Sequence, residues 1–154
     1  TQEARVGLLA AHHPGHHAAD PAGDGALPAV HLIDLPGVYS LELELSESRV
    51  AREVLAGSLA PSGEEVAPPD AVCVVLDGAN LPRNLVLAGE VLRRRLPTLV
   101  VVNMIDVARR QGVAISVERL SAALGCPVAP CVAREGEGVP EVRALLHRGR
   151  VPNV

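Results

Sequence analysis

The apolar run at residues 99–102 (LVVV) ends abruptly in residues 103–106 (NMID). A continuous β-branched run between helical segments predicts a fully buried parallel strand. Ligands bind beyond the carboxyl ends of such strands in open α/β sheets, so Asn103 and Asp106 are expected to face one crevice. The Asp106 carboxylate only accepts hydrogen bonds, which suits a ligand edge with two adjacent donors, as guanine has. The same residues also fit a turn and a helix start with Asp106 as N-cap, and the tetrapeptide leaves that alternative open.

Short apolar runs and amphipathic segments alternate along most of the chain. Strands are expected at residues 4–9, 30–33, 71–76, 98–102 and 128–132, and helices at 46–59, 82–95, from the cap at 116 to 124, and at 139–147. This alternation predicts an α/β fold, a mostly parallel sheet with helices on both faces. Residues 30–154 are expected to form that domain. Residues 1–29 are an Ala-, Gly-, His- and Pro-rich segment without usable periodicity beyond its first strand.

Composition excludes several classes of partner. The net charge is −4, the 14 basic residues are all Arg, and their only dense run is residues 93–95 at a predicted helix end. Tyr39 is the single aromatic residue, so bases cannot stack on an aromatic platform, and nucleic acid is not an expected partner. Three scattered cysteines indicate a reducing compartment, and no apolar run reaches the roughly 20 residues that cross a bilayer. The sequence therefore predicts a cytoplasmic domain.

Two further strand ends carry polar residues or turn glycines. Asp34 follows the strand at 30–33, where a carboxylate can hold a metal-bound water, and Gly37 allows a backbone N–H to approach a phosphate. Residues 34–37 (DLPG) also fit an ordinary turn. Ala133 and Arg134 follow the last predicted strand. The carboxyl ends of parallel strands share one rim, so their convergence favours a binding site there.

Four histidines, His12, His13, His16 and His17, surround the dipeptide at positions 14–15 (PG). Four imidazoles so close together suggest a metal-binding accessory domain as one hypothesis. Pro and Gly break the helix that would align them, and no thiol or carboxylate frames the group, so a solvated loop is expected instead.

The matching order and spacing of six segments connect the chain to a known family. These segments are residues 34–41, 46–52, 70–77, 80–85, 103–106 and 124–128. They resemble the guanine-nucleotide-binding domain at the N-terminus of the ferrous iron transport protein B family, over about residues 30–147. The Asn-Met-x-Asp form of residues 103–106, in place of Asn-Lys-x-Asp, is typical of that family.

The resemblance implies a P-loop GTPase-like fold that binds GTP or GDP. By resemblance, Asn103, Met104 and Asp106 would recognise the guanine base. Ala133 and Arg134 would belong to the last loop that contacts the nucleotide, with the Ala133 N–H near the base oxygen.

The resemblance also assigns the phosphate end of the site. Asp34 and Gly37 would form the second switch, facing Mg²⁺ and the terminal phosphate. The implied partners are a guanine nucleotide and the membrane part of an iron transporter.

The family's phosphate-binding loop, Gly-x4-Gly-Lys-Ser/Thr, has no match in this chain, which contains no Lys. In one register, Ala10 and residues 15–17 stand on that loop. In the preferred register, residues 14–15 fall on the family's first switch and the loop and its strand are missing. The strand at 4–9 then replaces the missing strand, or the two flanking strand edges close together.

Both registers remove the strongest phosphate contacts, so weak nucleotide binding without GTP hydrolysis is expected, although the family is a GTPase. The alternative function is a non-catalytic pseudo-GTPase interaction module.

Overall fold

A computed structural model describes residues 5–9, 30–58 and 68–147 of the chain. Its strands are β1 (Arg5–Leu9), β2 (Val30–Asp34), β3 (Val72–Asp77), β4 (Thr98–Asn103) and β5 (Val128–Pro130). Its α-helices are α1 (Ser46–Leu55), α2 (Leu81–Leu92), α3 (Ile105–Arg110), α4 (Val117–Leu124) and α5 (Val139–His147). Two 3₁₀ turns lie at Gly78–Asn80 and Ala133–Glu135. None of the helices in these ranges has the length and apolar content to span a bilayer.

Strands β3, β4 and β5 form a parallel sheet in that order. The register places Asp77 opposite Asn103 and Val102 opposite Pro130, so the strands end at one rim. The central strand β4 is buried from Thr98 to Val102, with at most 4% of any of these residues exposed. This burial on both faces explains the uninterrupted apolar run of the sequence.

Alternate residues of β4 serve the two faces of the sheet, as the pleat requires. Val100 and Val102 belong to a larger core cluster that includes residues of α1 and α2 and is flanked by residues of α4. Leu99 and Val101 belong to a smaller cluster that packs against α5. Helices on both faces of a mostly parallel sheet confirm the predicted fold class.

A separate two-stranded sheet is formed by β1 and β2, which are antiparallel, with Arg5 opposite Asp34 and Leu9 opposite Val30. The strand predicted at residues 4–9 is therefore present, but it does not lie in the three-stranded sheet. Within the described ranges, β2 and β3 do not pair with each other either. In the part of the chain that the structure describes, neither arrangement predicted for a missing strand is found: β1 does not replace it, and the flanking edges do not close together.

The face that carries α5 is only partly covered. Leu32 of β2 and Cys73 and Val75 of β3 line an open cavity of about 260 Å³ beside α5, to which Val142 contributes. Val75 is 57% exposed there. We call this cavity the α5 groove.

Predicted element ends differ from the structure by a few residues. The helix expected to reach residue 59 ends at Leu55, and the helix expected to reach residue 95 ends at Leu92. In both cases a residue with positive φ follows within three positions, Gly57 at 71° and Arg95 at 57°, which stops helical propagation. The final strand ends at Pro130 instead of residue 132, because Val132 bridges to Glu137.

Candidate functional site

A tight turn at the end of β4 places Asn103 and Asp106 at the same rim of the sheet. Met104 adopts the left-handed conformation (φ 58°, ψ 32°), and α3 starts at the next residue. A non-glycine residue rarely occupies this region, and such strain is concentrated at functional sites. The turn ends the strand at Asn103 and places Asp106 in the first turn of α3. Met104 itself is 41% exposed.

Asn103 is joined directly to the loop that follows β5. Its Oδ1 accepts a hydrogen bond from the Ala133 backbone N–H at 3.0 Å. The same loop is also held by two backbone bonds, Cys131 N–H to Val102 O at 2.8 Å and Ile105 N–H to Cys131 O at 3.4 Å. The structure thus brings together Asn103 and Ala133, two residues that were predicted to share a site from widely separated parts of the chain.

Asp106 accepts ion-pair hydrogen bonds from two arginines. Its Oδ2 lies 2.8 Å from Arg110 Nη2 and 3.2 Å from Arg134 Nη2, and its side chain is 19% exposed. The alternative reading of Asp106 as an N-cap is wrong, because Met104 holds that position and no side chain caps α3. The Asp106 carboxylate is therefore directed to charged partners instead of to the helix end.

The loop after β5 has little freedom. An isolated bridge pairs Val132 with Glu137, and Gly136 and Gly138 have φ near 78°. A Cβ on Gly138 would lie 2.2 Å from the Pro130 carbonyl oxygen, so only glycine fits. Closure of this loop fixes the backbone that presents Ala133 and Arg134, both of which are exposed.

Asp34 and Gly37 lie at the end of β2, and both are exposed. Among residues 5–9, 30–58 and 68–147, no hydrogen bond or ion pair connects them to Asn103 or Asp106. A Cβ on Gly37 would have no neighbour within 4 Å, so the space around its backbone is open. Leu32, two residues before Asp34, nevertheless lines the same cavity as Asn103 and Ala133, so β2 lies beside the predicted base end.

The segment after Gly37 is anchored on α2. Buried Glu90 accepts hydrogen bonds from Ser40 Oγ at 2.7 Å and from the Leu41 N–H at 2.5 Å. Tyr39, 61% exposed, has the Arg83 guanidinium 4.3 Å from its ring centroid. This anchoring fixes the backbone on the far side of the turn that holds Asp34 and Gly37.

The described part of the chain offers few candidate metal ligands. No group of three or more His, Cys, Asp or Glu side chains converges there. The four histidines at positions 12, 13, 16 and 17 lie outside the described residues. Asp34 is the carboxylate at the end of β2. A hard cation such as Mg²⁺ is commonly held by one or two carboxylates together with substrate phosphates, so this donor fits such an ion only alongside a nucleotide.

The cysteine thiols near the site are not activated nucleophiles. Burial, with a smaller contribution from the charge of Glu137, raises the pKa of Cys131. Burial also raises the pKa of Cys73 in the α5 groove to about 11. Since the thiolate is the reactive form, neither residue is suited to covalent catalysis.

Two residues of the site were missed in the sequence. Arg110 stands four positions after Asp106, and this i,i+4 spacing of opposite charges was a usable signal. Glu135, whose Oε1 lies 3.0 Å from Arg134 Nη2, had no comparable signal because its role depends on the loop conformation.

The parallel sheet with helices on both faces places the chain among α/β domains of the P-loop GTPase fold, the fold of solved FeoB G-domains. The model of the family described as ferrous iron transport protein B matches residues 23–146. The chain belongs to this family.

Curated relatives and solved structures agree with this assignment. The Fe(2+) transporter FeoB of Escherichia coli K12 is 36% identical over 119 residues, which are 77% of this chain but 15% of that protein. The FeoB G-domain from Methanococcus jannaschii is 28% identical with a TM-score of 0.69, covering 79% of this chain and 72% of that one. An S. thermophilus NFeoB N11A mutant bound to mGDP is 37% identical with a TM-score of 0.63, covering 73% of this chain and 40% of that one. The chain thus spans a small part of the length of its curated relatives.

Proposed function

We propose that this chain binds guanine nucleotides through the rim formed by β4, α3 and the loop after β5. The hydrogen bond of 3.0 Å between Asn103 and Ala133 supports this most, because it holds the two base-contacting segments together. Asp106 supplies acceptors for the two adjacent donors of guanine, and Ala133 and Arg134 border the base. Met104 offers an exposed apolar surface beside them.

The phosphate end is proposed to be weak and deficient in hydrolysis. Asp34 is the residue that would hold Mg²⁺, and the exposed backbone of Gly37 is the group that would approach a phosphate. Mg²⁺, when bound, would neutralise phosphate charge. No Lys is present anywhere in the sequence to add a positive charge there. Because catalysis in this class depends on electrostatic stabilisation of the transferring phosphoryl group, we expect binding without turnover.

The biological setting is proposed from the relatives. A solved relative, 29% identical with a TM-score of 0.70, is described as the cytosolic domain of the T. maritima FeoB iron transporter. We therefore propose that this chain acts in the cytosol, next to the membrane part of a ferrous iron transporter.

The test of base recognition is the variant Asp106→Asn. Xanthine carries a carbonyl where guanine has its exocyclic amine, so exchanging one carboxylate acceptor for an amide donor favours xanthine. A buried polar mismatch costs about 1–3 kcal/mol, so the ratio of guanosine to xanthosine diphosphate affinity should fall by about tenfold or more. Calorimetry at millimolar nucleotide measures both affinities.

Glu53→Gln is the matched control, since this carboxylate lies near the end of α1 and pairs with Arg49 of the same helix, not with a residue of β4, α3 or the loop after β5. It should leave the ratio unchanged. If the wild-type chain shows no preference for guanine, or if Asp106→Asn does not alter it, the alternative of a non-catalytic interaction module replaces this proposal.

A further inference from the structure

One carboxylate oxygen of Asp106, Oδ2, already accepts hydrogen bonds from two arginines. A carboxylate oxygen has two lone-pair sites, and Oδ2 receives both Arg110 at 2.8 Å and Arg134 at 3.2 Å. Guanine needs both carboxylate oxygens, one for each of its adjacent donors. If guanine binds at this rim, as proposed above, one arginine must therefore leave Oδ2.

The two arginines differ in how firmly they are held. Arg110 is on the same helix as Asp106, four residues later, and makes the shorter contact. Arg134 comes from the loop after β5, makes the longer contact, and has a second acceptor in Glu135, at 3.0 Å from Nη2 and 3.3 Å from Nε. Arg134 can thus leave Asp106 without losing all of its charge-paired contacts.

We infer that Arg134 is a specificity-determining residue that competes with the base for Asp106, and that Glu135 is the acceptor that takes it up when the base binds. This inference rests on the proposed nucleotide function. It predicts effects that oppose simple electrostatics. An arginine near an anionic nucleotide ordinarily strengthens binding and a glutamate weakens it, whereas here Arg134 weakens binding and Glu135 strengthens it.

Arg134 also affects the choice between bases. In the proposed complex, the exocyclic group of the base meets Asp106 Oδ2, where the Arg134 guanidinium lies. The guanidinium can donate a hydrogen bond to the 2-carbonyl oxygen of xanthine but not to the amine of guanine. The wild-type chain should therefore discriminate less between the two bases than Asp106 alone would allow.

The experiment compares the 154-residue chain with Arg134→Gln, Glu135→Gln and the double variant, titrated with guanosine and xanthosine diphosphate at one low ionic strength. Exposed ion pairs have small energies, so Arg134→Gln should bind guanosine diphosphate about two- to fivefold more tightly, and Glu135→Gln should bind it about twofold less tightly. The double variant should match Arg134→Gln. The guanine-to-xanthine ratio should rise in Arg134→Gln.

Arg109→Gln is the matched charge control, because Arg109 is an exposed arginine in the last turn of α3. It should leave binding unchanged or weaken it slightly. If Arg134→Gln weakens guanosine diphosphate binding as Arg109→Gln does, or leaves the base ratio unchanged while the wild type still prefers guanine, the competition is overturned and the proposed function stands. If neither the wild-type chain nor any variant prefers guanine over xanthine, the proposed function is wrong. The inferred competition between Arg134 and the base is then wrong as well.

Discussion

Glu90 lies on α2 with 7% of its surface exposed, and its carboxylate accepts hydrogen bonds from Ser40 and Leu41. Ser48 Oγ in turn donates to the Ser40 carbonyl oxygen at 2.8 Å, and an arginine of α1, Arg52, donates to the Leu41 carbonyl. Three side chains, Glu90, Ser48 and Arg52, therefore hold residues 40 and 41 between the β2 turn and α1. A buried charge is tolerated here because donors surround it.

Replacing Glu90 by alanine should lower the free energy of unfolding by about 2–4 kcal/mol, because the buried Leu41 N–H and the partly buried Ser40 hydroxyl lose their acceptor. Urea denaturation measures this change. Glu90→Gln keeps the size and one acceptor, so it should lose less. A loss below about 0.5 kcal/mol for Glu90→Ala would show that the carboxylate does not anchor the segment.

Gly138 and Gly136 offer a paired test of the loop after β5. Both have a left-handed φ, but only a Cβ on Gly138 meets backbone, at 2.2 Å from Pro130 O. Gly136→Ala should cost about 1–2 kcal/mol for the conformation alone, and Gly138→Ala about 2–5 kcal/mol because the chain must also shift. Thermal unfolding distinguishes them, and equal losses would argue against the close approach.

Individual residues were predictable from the sequence where a local pattern placed them. Asn103 and Asp106 follow an apolar strand, so their rim position could be inferred from residues 99–106 alone. Glu90 could not be recognised as buried, since an acidic residue in a helix indicates solvent and its partner Ser40 is 50 positions away. Arg134 was identified as a site residue, but its pairing with Asp106 depends on the loop conformation.

At the level of elements, local chemistry determined the helices more reliably than the sheet. The last helix occupies Val139–His147 as predicted, and Ser116 caps α4 by accepting from the Arg119 N–H at 3.2 Å. The pairing of β1 with β2 was not predicted, because strand partners are chosen by long-range packing that a single sequence does not display. The α5 groove could not be predicted either, because its opening also depends on long-range packing between β2, β3 and α5.

Deleting residues 1–20 removes β1 and leaves β2 without its partner. A strand without a partner is marginally stable, so we expect amides of β2 to lose protection in hydrogen exchange. The amides of β4, which is paired on both sides within its own sheet, should remain protected. Loss of β4 protection in the deletion variant would show that the two sheets unfold as one cooperative unit.

For the whole molecule, the charge composition determines how strongly the phosphates of a nucleotide are expected to be attracted. A chain without lysine, with a net charge of −4, provides little attraction for the phosphates of a nucleotide. The rim formed by β4, α3 and the loop after β5, in contrast, is held in place by side-chain and backbone contacts between these segments. We therefore expect the molecule to recognise a base better than it transfers a phosphoryl group.

Incubation of the chain with GTP and Mg²⁺ should release phosphate at the rate found in buffer alone, because the chain has no Lys to stabilise charge on the transferring phosphoryl group. A phosphate-release assay measures this, with Asp34→Ala prepared in parallel. Release above background that disappears in Asp34→Ala would contradict the prediction, since it would require a working metal site at the end of β2.

The single tyrosine has a practical consequence for spectroscopy. With no Trp or Phe in the chain, all intrinsic ultraviolet fluorescence of the protein comes from Tyr39. That ring lies two residues after Gly37, exposed and beside the Arg83 guanidinium. A change in its emission during a titration would therefore report on one short segment at the end of β2, without a label and without background from the rest of the molecule.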